Sequence, residues 1–333
     1  MEPWGNLLSN LESDETESIF LATCDQRLNH PSSANPPPEL PRHDSGASGI
    51  PGKEDDTKLL HRSSDTSPLP VYSAREQPTQ EDFNNAVWVS TRQNGIIQYW
   101  APRYTAFIDN HNTTETARVL HMSSVRSAAI AQNTPKACTA VDLASGTGSF
   151  AFSHAAAGTQ KVLCWDANPW SIEGLRRGVI KNGWHVRVYS ADHKSVKVHS
   201  KTRVMAFAEI GDKALVRIQG LRDSLPPVRH VNCGYLPTSR ETREIAAAVL
   251  DPRLGGWIHV QETYRMEDVV RGANELRAEL ETIVERLDKE RGYLTNVKVT
   301  ARKPAVQHIQ RIGSDAPGMF HCIVDIHIPP LPI

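Results

Sequence analysis

The chain of 333 residues has little that would mark it as secreted or membrane-bound. No apolar run approaches the roughly 18–20 residues needed to cross a bilayer, and the N-terminus MEPWGNLLSNLESDETE is acidic where a signal peptide would be basic. There are five cysteines, Cys24, Cys138, Cys164, Cys233 and Cys322, an odd number with no Cys-x-x-Cys pair. That excludes a disulfide framework and a structural zinc of the usual spacing. Cys138, Cys164 and Cys322 sit in apolar stretches and read as buried thiols. No His/Cys/Asp cluster has metal-ligand spacing, so no metal is expected. A soluble chain in a reducing, cytoplasmic setting is the expectation.

The formal net charge is only −1, but it is unevenly divided. Residues 1–85 hold 6 Lys/Arg against 15 Asp/Glu, and residues 86–333 hold 31 against 23. A basic body suits a polyanionic partner, although a surplus of that size is also ordinary for a protein surface. The acidic part contains HPSSANPPPELPRHDSGASGIPG, with six prolines in residues 30–52. It buries too little apolar surface to offset its ordering entropy, so 1–85 is expected to be a disordered arm.

Two segments follow. Residues 86–131 start with VWVSTRQNGIIQYWAPRYTAF, where Asn94-Gly95 reads as a turn between two strands, and continue with a helix over 113–131. Residues 132–333 alternate short apolar strands with helices, which predicts a doubly wound, mostly parallel α/β sheet. The strands are ACTAVDL, KVLCWD, HVRVYS, VRHVNCGY, GGWIHVQET, LTNVKVTARK and FHCIVDIHI. The last two lack a helix between them and should be antiparallel neighbours. Residues 193–227 are left as a long connection carrying Lys194, Lys197, Lys201, Arg203, Lys213, Arg217 and Arg222. It reads either as an insertion that meets RNA phosphates or as a solvated hairpin.

In such a sheet ligands bind beyond the carboxyl ends of the strands. The loop VDLASGTGSF follows the first strand, and Gly146 and Gly148 let its backbone come close to a ligand. Asp142 ends that strand. Asp166 ends the next, 24 residues on, where a carboxylate reaches ribose hydroxyls. Asp192 follows HVRVYS, with His193 beside it. Each also has a plain structural reading: a tight turn, a helix N-terminal acid, a loop acid. Asn232 in HVNCGYLP is the candidate polar group beside a substrate base, and Tyr235 a stacking platform.

NGIIQYWAPRYTAF, VDLASGTGSF, DANPWSIEGLRRGVIKNG, HVNCGYLP, GGWIHVQE and VKVTARK…FHCIVDIHI occur in this order. Together they resemble the fungal wybutosine-synthesising transferases, relatives of the tRNA guanine-N1 methyltransferases. The resemblance covers roughly 86–330 and implies a seven-stranded sheet of the class I S-adenosylmethionine-dependent methyltransferase type. It implies S-adenosylmethionine as donor of an aminocarboxypropyl group to demethylwyosine in tRNA-Phe. The family's Asp-Asn pair falls on Asp192 and His193. Its Ser-Arg-Gly-Asn segment and following Lys fall on Ile108, Asp109 and Thr116, so two cofactor contacts are absent, and Arg103 or Arg118 would have to supply the cation. A tRNA methyltransferase and a non-catalytic binding module are the alternatives. The N-terminal domain with which longer relatives bind tRNA is not evident in 1–85.

Overall fold

The computed structural model describes residues 78–105, 109–130, 137–235, 238–293 and 301–332. The expected disordered arm lies outside the described residues up to residue 77. Structure begins before Ala86, with helix α1 (Gln80–Asn85). Thr79 and Asp82 close a capping box at its start. The ring of Phe83 packs edge-on against Trp170, 4.9 Å between centroids, which is why this short helix belongs with the body. Strands β1 (Val89–Gln93) and β2 (Ile96–Trp100) form an antiparallel hairpin. Asn94 and Gly95 make its two-residue turn with φ of 50° and 80°, as the sequence predicts. The expected single helix over 113–131 is two, α2 (Asp109–His121) and α3 (Ser123–Ile130), parted at Met122.

The main sheet has eight strands rather than seven. In chain order they are β3 (Thr139–Asp142), β4 (Lys161–Trp165), β5 (Val186–Ser190), β6 (Val204–Ala208), β7 (Val228–Cys233), β8 (Gly256–Arg265), β9 (Ala305–Ala316) and β10 (Met319–Ile328). The spatial order is β5-β6-β4-β3-β7-β8-β10-β9. The first six are parallel, and β10 runs antiparallel to both β8 and β9. The additional strand β6 lies inside the segment read as a connection. VMAFA is buried almost throughout, so it lacks the alternation that betrays a half-exposed strand. The last antiparallel pair exists, but its first member is β9, not 294–303. Residues 294–300 lie outside the described residues, and 301–304 are not in a strand. Register shifts at three points between β9 and β10 break the two-residue period that would have located it.

Helices cover both faces. Connecting the strands are α4 (Ser149–Ala157), α5 (Pro169–Lys181), α6 (Ala214–Leu221), α7 (Arg240–Val249) and α8 (Val269–Glu290). Val141, Leu163, Trp165, Met205 and Phe207 point to the face covered by α6, α7 and α8. The alternate residues Ala140, Val162, Cys164, Val204 and Ala206 meet α4 and α5 on the other. This two-sided burial is why the parallel strands read as continuous apolar runs. The hairpin docks on α5 at a glycine: a Cβ on Gly174 would lie 2.6 Å from the Tyr99 carbonyl oxygen. Cys138, Cys164, Cys233 and Cys322 are buried thiols, none of them in a disulfide. Among the described residues no helix is long and apolar enough to cross a membrane.

Beyond β3 the second face becomes polar. His230, Asn232, His259 and Asp325 are all buried there, beneath His154 of α4 and Arg118 of α2. Asp325 takes a hydrogen bond from His259 Nδ1 at 2.6 Å and pairs with Arg118 at 2.7 Å. His259 Nε2 in turn lies within hydrogen-bond distance of His230 Nδ1, 3.1 Å away. Burial would raise the Asp325 pKa, but His259 and Arg118 outweigh it and hold the group at about 2. Burial is also the main reason that His154 falls to about 3, and it drives His230 well below the ordinary histidine value.

Both histidines therefore stay neutral in the folded chain while the unfolded chain takes up protons below about pH 6.5. Between pH 6.5 and about 3 the unfolded state binds more protons, so stability is full above that window and falls as pH drops through it. Each histidine contributes a slope of up to about 1.4 kcal/mol per pH unit. Urea denaturation at pH 7, 6 and 5 should show this loss, and His154→Leu should reduce its slope by about one proton. An unchanged slope would mean that His154 takes no part.

Candidate cofactor site at the carboxyl edge of the sheet

The loop after β3 is shaped by its glycines and one carboxylate. Gly146 and Gly148 have φ of 52° and 101°, in the left-handed region that favours glycine. A Cβ on Gly146 would meet nothing within 4 Å, so this stretch of backbone faces open space. Asp166 ties the loop to the next one. Its Oδ2 accepts from Gly146 N at 2.9 Å and its Oδ1 from Asn168 N at 2.7 Å. Burial nevertheless raises its pKa, against the pull of those two N–H groups. Asn168 caps α5 through Trp170 N at 2.9 Å, with Pro169 following at the first helical position.

Asp142 lies deeper. Burial pushes its carboxyl up to about 7, opposed by the Ala144 N–H and by Asn232, its neighbour on β7. Its Oδ2 and the Nδ2 of Asn232 are both buried without a hydrogen-bonded partner. Asn232 thus sits inside the sheet beside Asp142, not on the rim expected for a residue that meets a substrate base. The rim position belongs to Tyr235, 38% exposed, whose hydroxyl accepts from Gly211 N at 3.4 Å. The carboxylates of Asp166, Asp212 and Asp142 all raise the Tyr235 pKa after burial itself, so the four groups share one neighbourhood.

Asp212 was missed because β6 was missed. The strand beside β4 is β6, and the loop after it reads Gly211-Asp212-Lys213. This loop presses on the glycine loop: a Cβ on Gly211 would lie 2.3 Å from the Leu143 carbonyl oxygen. Asp192 and His193 instead follow the outermost strand, β5, and both are exposed. His193 Nδ1 accepts from Ser190 N at 3.0 Å. The structure does not bring this pair to the glycine loop, because an unread strand separates β5 from β4. The signal was available: an apolar pentapeptide followed by Glu209-Ile210-Gly211-Asp212.

The segment after β2 closes the other side. Tyr104 stacks on Trp170, 3.8 Å between ring centroids, and its carbonyl accepts from Asn168 Nδ2 at 3.1 Å. Arg103 is exposed, with its guanidinium 5.8 Å above the Tyr104 ring. Arg118 is engaged elsewhere, with Glu115 and Asp325. Thr116 faces the hairpin and accepts from Asn94 Nδ2 at 3.2 Å. Ile108 lies outside the described residues, and Asp109 opens α2. Among the described residues no three His, Cys, Asp or Glu side chains are grouped to hold a metal ion.

No family model matches the chain. It is 37% identical over 233 residues to tRNA wybutosine-synthesizing protein 2 of Schizosaccharomyces pombe, covering 70% of this chain and 51% of the relative. The Saccharomyces cerevisiae protein of the same name is 28% identical over 265 residues, 76% of this chain and 51% of that protein. The chain thus spans about half the length of the wybutosine-synthesizing relatives it matches. The crystal structure of M. jannaschii TYW2 in complex with AdoMet superposes with a TM-score of 0.51 at 15% identity, covering 74% of this chain and 88% of that one. At that identity the likeness speaks for the fold, a mostly parallel sheet of the type the sequence implied.

Asp166→Ala removes the acceptor for Gly146 N and Asn168 N. The expected loss of stability is about 1–3 kcal/mol by urea denaturation. Asp192→Ala, on the exposed outer strand, should stay within about 0.5 kcal/mol of the parent. Equal effects of the two would contradict this division of roles.

Proposed function

We propose that the chain is an S-adenosylmethionine-dependent aminocarboxypropyltransferase of wybutosine synthesis, acting in the cytoplasm on demethylwyosine in tRNA-Phe. The observation that carries this reading is the 37% identity to the S. pombe protein over 233 residues. The glycine loop and the Asp142, Asp166 and Asp212 cluster support it. The residues also suit the donor chemically. Gly146 offers uncovered backbone, and Asp142 Oδ2 is a buried acceptor with no partner.

When bound, S-adenosylmethionine supplies a sulfonium whose methyl and γ-carbon are both electrophilic. Asp166 would accept from the ribose hydroxyls, and Gly146 and Gly148 would let the backbone approach the nucleoside. Asp142, with Asn232 beside it, would offer negative charge to the cationic methionine half. Arg103 would hold the carboxylate, replacing the cation lost at Asp109 and Thr116. Tyr235 offers a face for the incoming base. The work would be positioning of the γ-carbon against the base.

Purified protein with tRNA-Phe carrying demethylwyosine should release methylthioadenosine. Release of S-adenosylhomocysteine would make it a methyltransferase, and cofactor binding without turnover a non-catalytic module. Arg103→Ala should abolish release while adenosine still binds. Asp166→Ala should weaken S-adenosylmethionine binding by roughly 1.5–3 kcal/mol.

Affinity should also depend on pH through Asp142. Its carboxyl is neutral below about 7 and charged above, so binding of the cationic donor should tighten as pH rises from about 5.5 to 7.5. Calorimetry across that range, with Asp142→Asn giving a flat response, checks the assignment.

A further inference from the structure

The cations of the segment after β5 are not used by the site above. Residues 191–202 leave the carboxyl end of β5 and return to the amino end of β6. Their backbone is tied down from inside the protein. Arg217 donates to the carbonyls of His193 at 2.5 Å and Ala191 at 3.2 Å. Tyr189 Oη donates to the Lys197 carbonyl at 3.1 Å. Lys161 Nζ donates to the carbonyls of His199, Ser200 and Thr202 at 2.8, 3.0 and 2.5 Å. These three side chains hold the segment in one shape, with Val196 and Val198 packed against the core and Lys194, Lys197 and Lys201 exposed.

Those side chains surround a recess of about 300 Å³ along the sheet edge, where Arg187, His193, Ser195, Lys197 and His199 provide the polar lining over Tyr189. His193 Nδ1 is an acceptor toward Ser190 N, so in the neutral ring Nε2 carries the proton and donates. Arg217 is paired with Glu209 at 2.9 Å. By contrast, among the described residues Arg187, Lys194, Lys197 and Lys201 form no ion pair. Unpaired cations on a rigid frame are poised for an anion without first giving up a partner. Lys194 and Lys201 extend the positive charge along the same segment, beyond what one free anion would use.

We infer that this edge recess is a binding site for backbone phosphates of RNA. The inference rests on the proposed tRNA substrate and names where the strand is held: along β5, on the flank of the sheet one strand outside the Asp212 loop. Such contacts carry no base specificity and fix the register of the RNA relative to the catalytic edge.

The test measures tRNA-Phe binding by fluorescence anisotropy as a function of KCl, with the full chain. Arg187→Ala/Lys197→Ala should weaken binding at least about tenfold at 0.1 M salt and lower the slope of log affinity against log salt by about 1.5. Arg286→Ala, on the exposed flank of α8, should leave both unchanged. Thermal midpoints equal to the parent exclude misfolding, since Arg187 is exposed and Lys197 forms no ion pair. Parent-like slope and affinity in the double variant, with tRNA still bound by the parent, would overturn the recess and spare the functional proposal. No tRNA binding by the parent at any salt would overturn the tRNA reading and the recess with it. Titration with inorganic phosphate separates the sources: saturation at micromolar phosphate, with tRNA affinity insensitive to the variants, would make this a free-anion site and overturn the RNA assignment.

Discussion

A carboxylate in the interior must be paired or neutralised, and in this protein Asp325 is paired twice. Its environment is almost fully dry, yet Arg118 at 2.7 Å and His259 at 2.6 Å keep it ionised. Removing either partner would strand a buried charge, which costs far more than the pair itself contributes. The pairing therefore acts as a constraint on position. Arg118 belongs to α2 and Asp325 to β10, so the helix that follows the Arg103–Thr105 segment is fixed to the antiparallel end of the sheet. The Tyr104–Trp170 stack fixes the other end of that segment to α5. The rim on which Arg103 sits is thus held from two sides by groups that take no part in binding.

The same constraint explains an absence of choice at the site. Arg118 lies near enough in sequence to be counted as a substitute cation, but its guanidinium is occupied by Glu115 and Asp325. Releasing it would uncover Asp325. The glycine loop is subject to a comparable restriction of another kind. Gly211 meets the Leu143 carbonyl so closely that any side chain would push the two loops apart. Asp212 and Asp142 are neighbours because of that missing Cβ, and Asp166 is joined to them through Gly146 N. The carboxyl edge is a rigid assembly of three loops whose acidic groups share one opening.

Much of this was legible in the sequence, and the misses have definite causes. The hairpin turn, the glycine loop, the Asn168-Pro169 helix start and α8 announce themselves through local chemistry. The strand β6 did not, because a strand buried on both faces has no alternation and its run is only five residues long. With β6 unread, Asp192 is taken to follow the strand beside β4, a place the structure gives to the loop that carries Asp212. The polar layer was illegible for the opposite reason. His230, His259 and Asp325 alternate with apolar residues just as they would on a half-solvated sheet, and only the tertiary placement of α2 and α4 buries them. The structure buries His230 and His259 as links in a hydrogen-bonded chain.

The charge asymmetry of the chain takes on a different meaning once the cations are located. A net surplus over residues 86–333 says nothing of where it lies. Arg118, Arg176, Arg177, Arg217, Arg243 and Arg302 are each matched to carboxylates inside or against the body. Along α8, Arg271, Arg277, Arg286 and Lys289 are matched within the helix at a spacing of three or four residues. These pairs cancel one another in the far field. The segment beside β5 has no such pairing for Arg187, Lys194, Lys197 and Lys201, so a modest average becomes a concentrated positive flank. On the proposed reading an RNA would be held there by its phosphates, one strand away from the acidic loops of the candidate cofactor site. Repulsion of phosphate by the carboxylate rim and attraction by the flank together would turn a polyanion so that its backbone lies on the edge and a base is free to reach the opening.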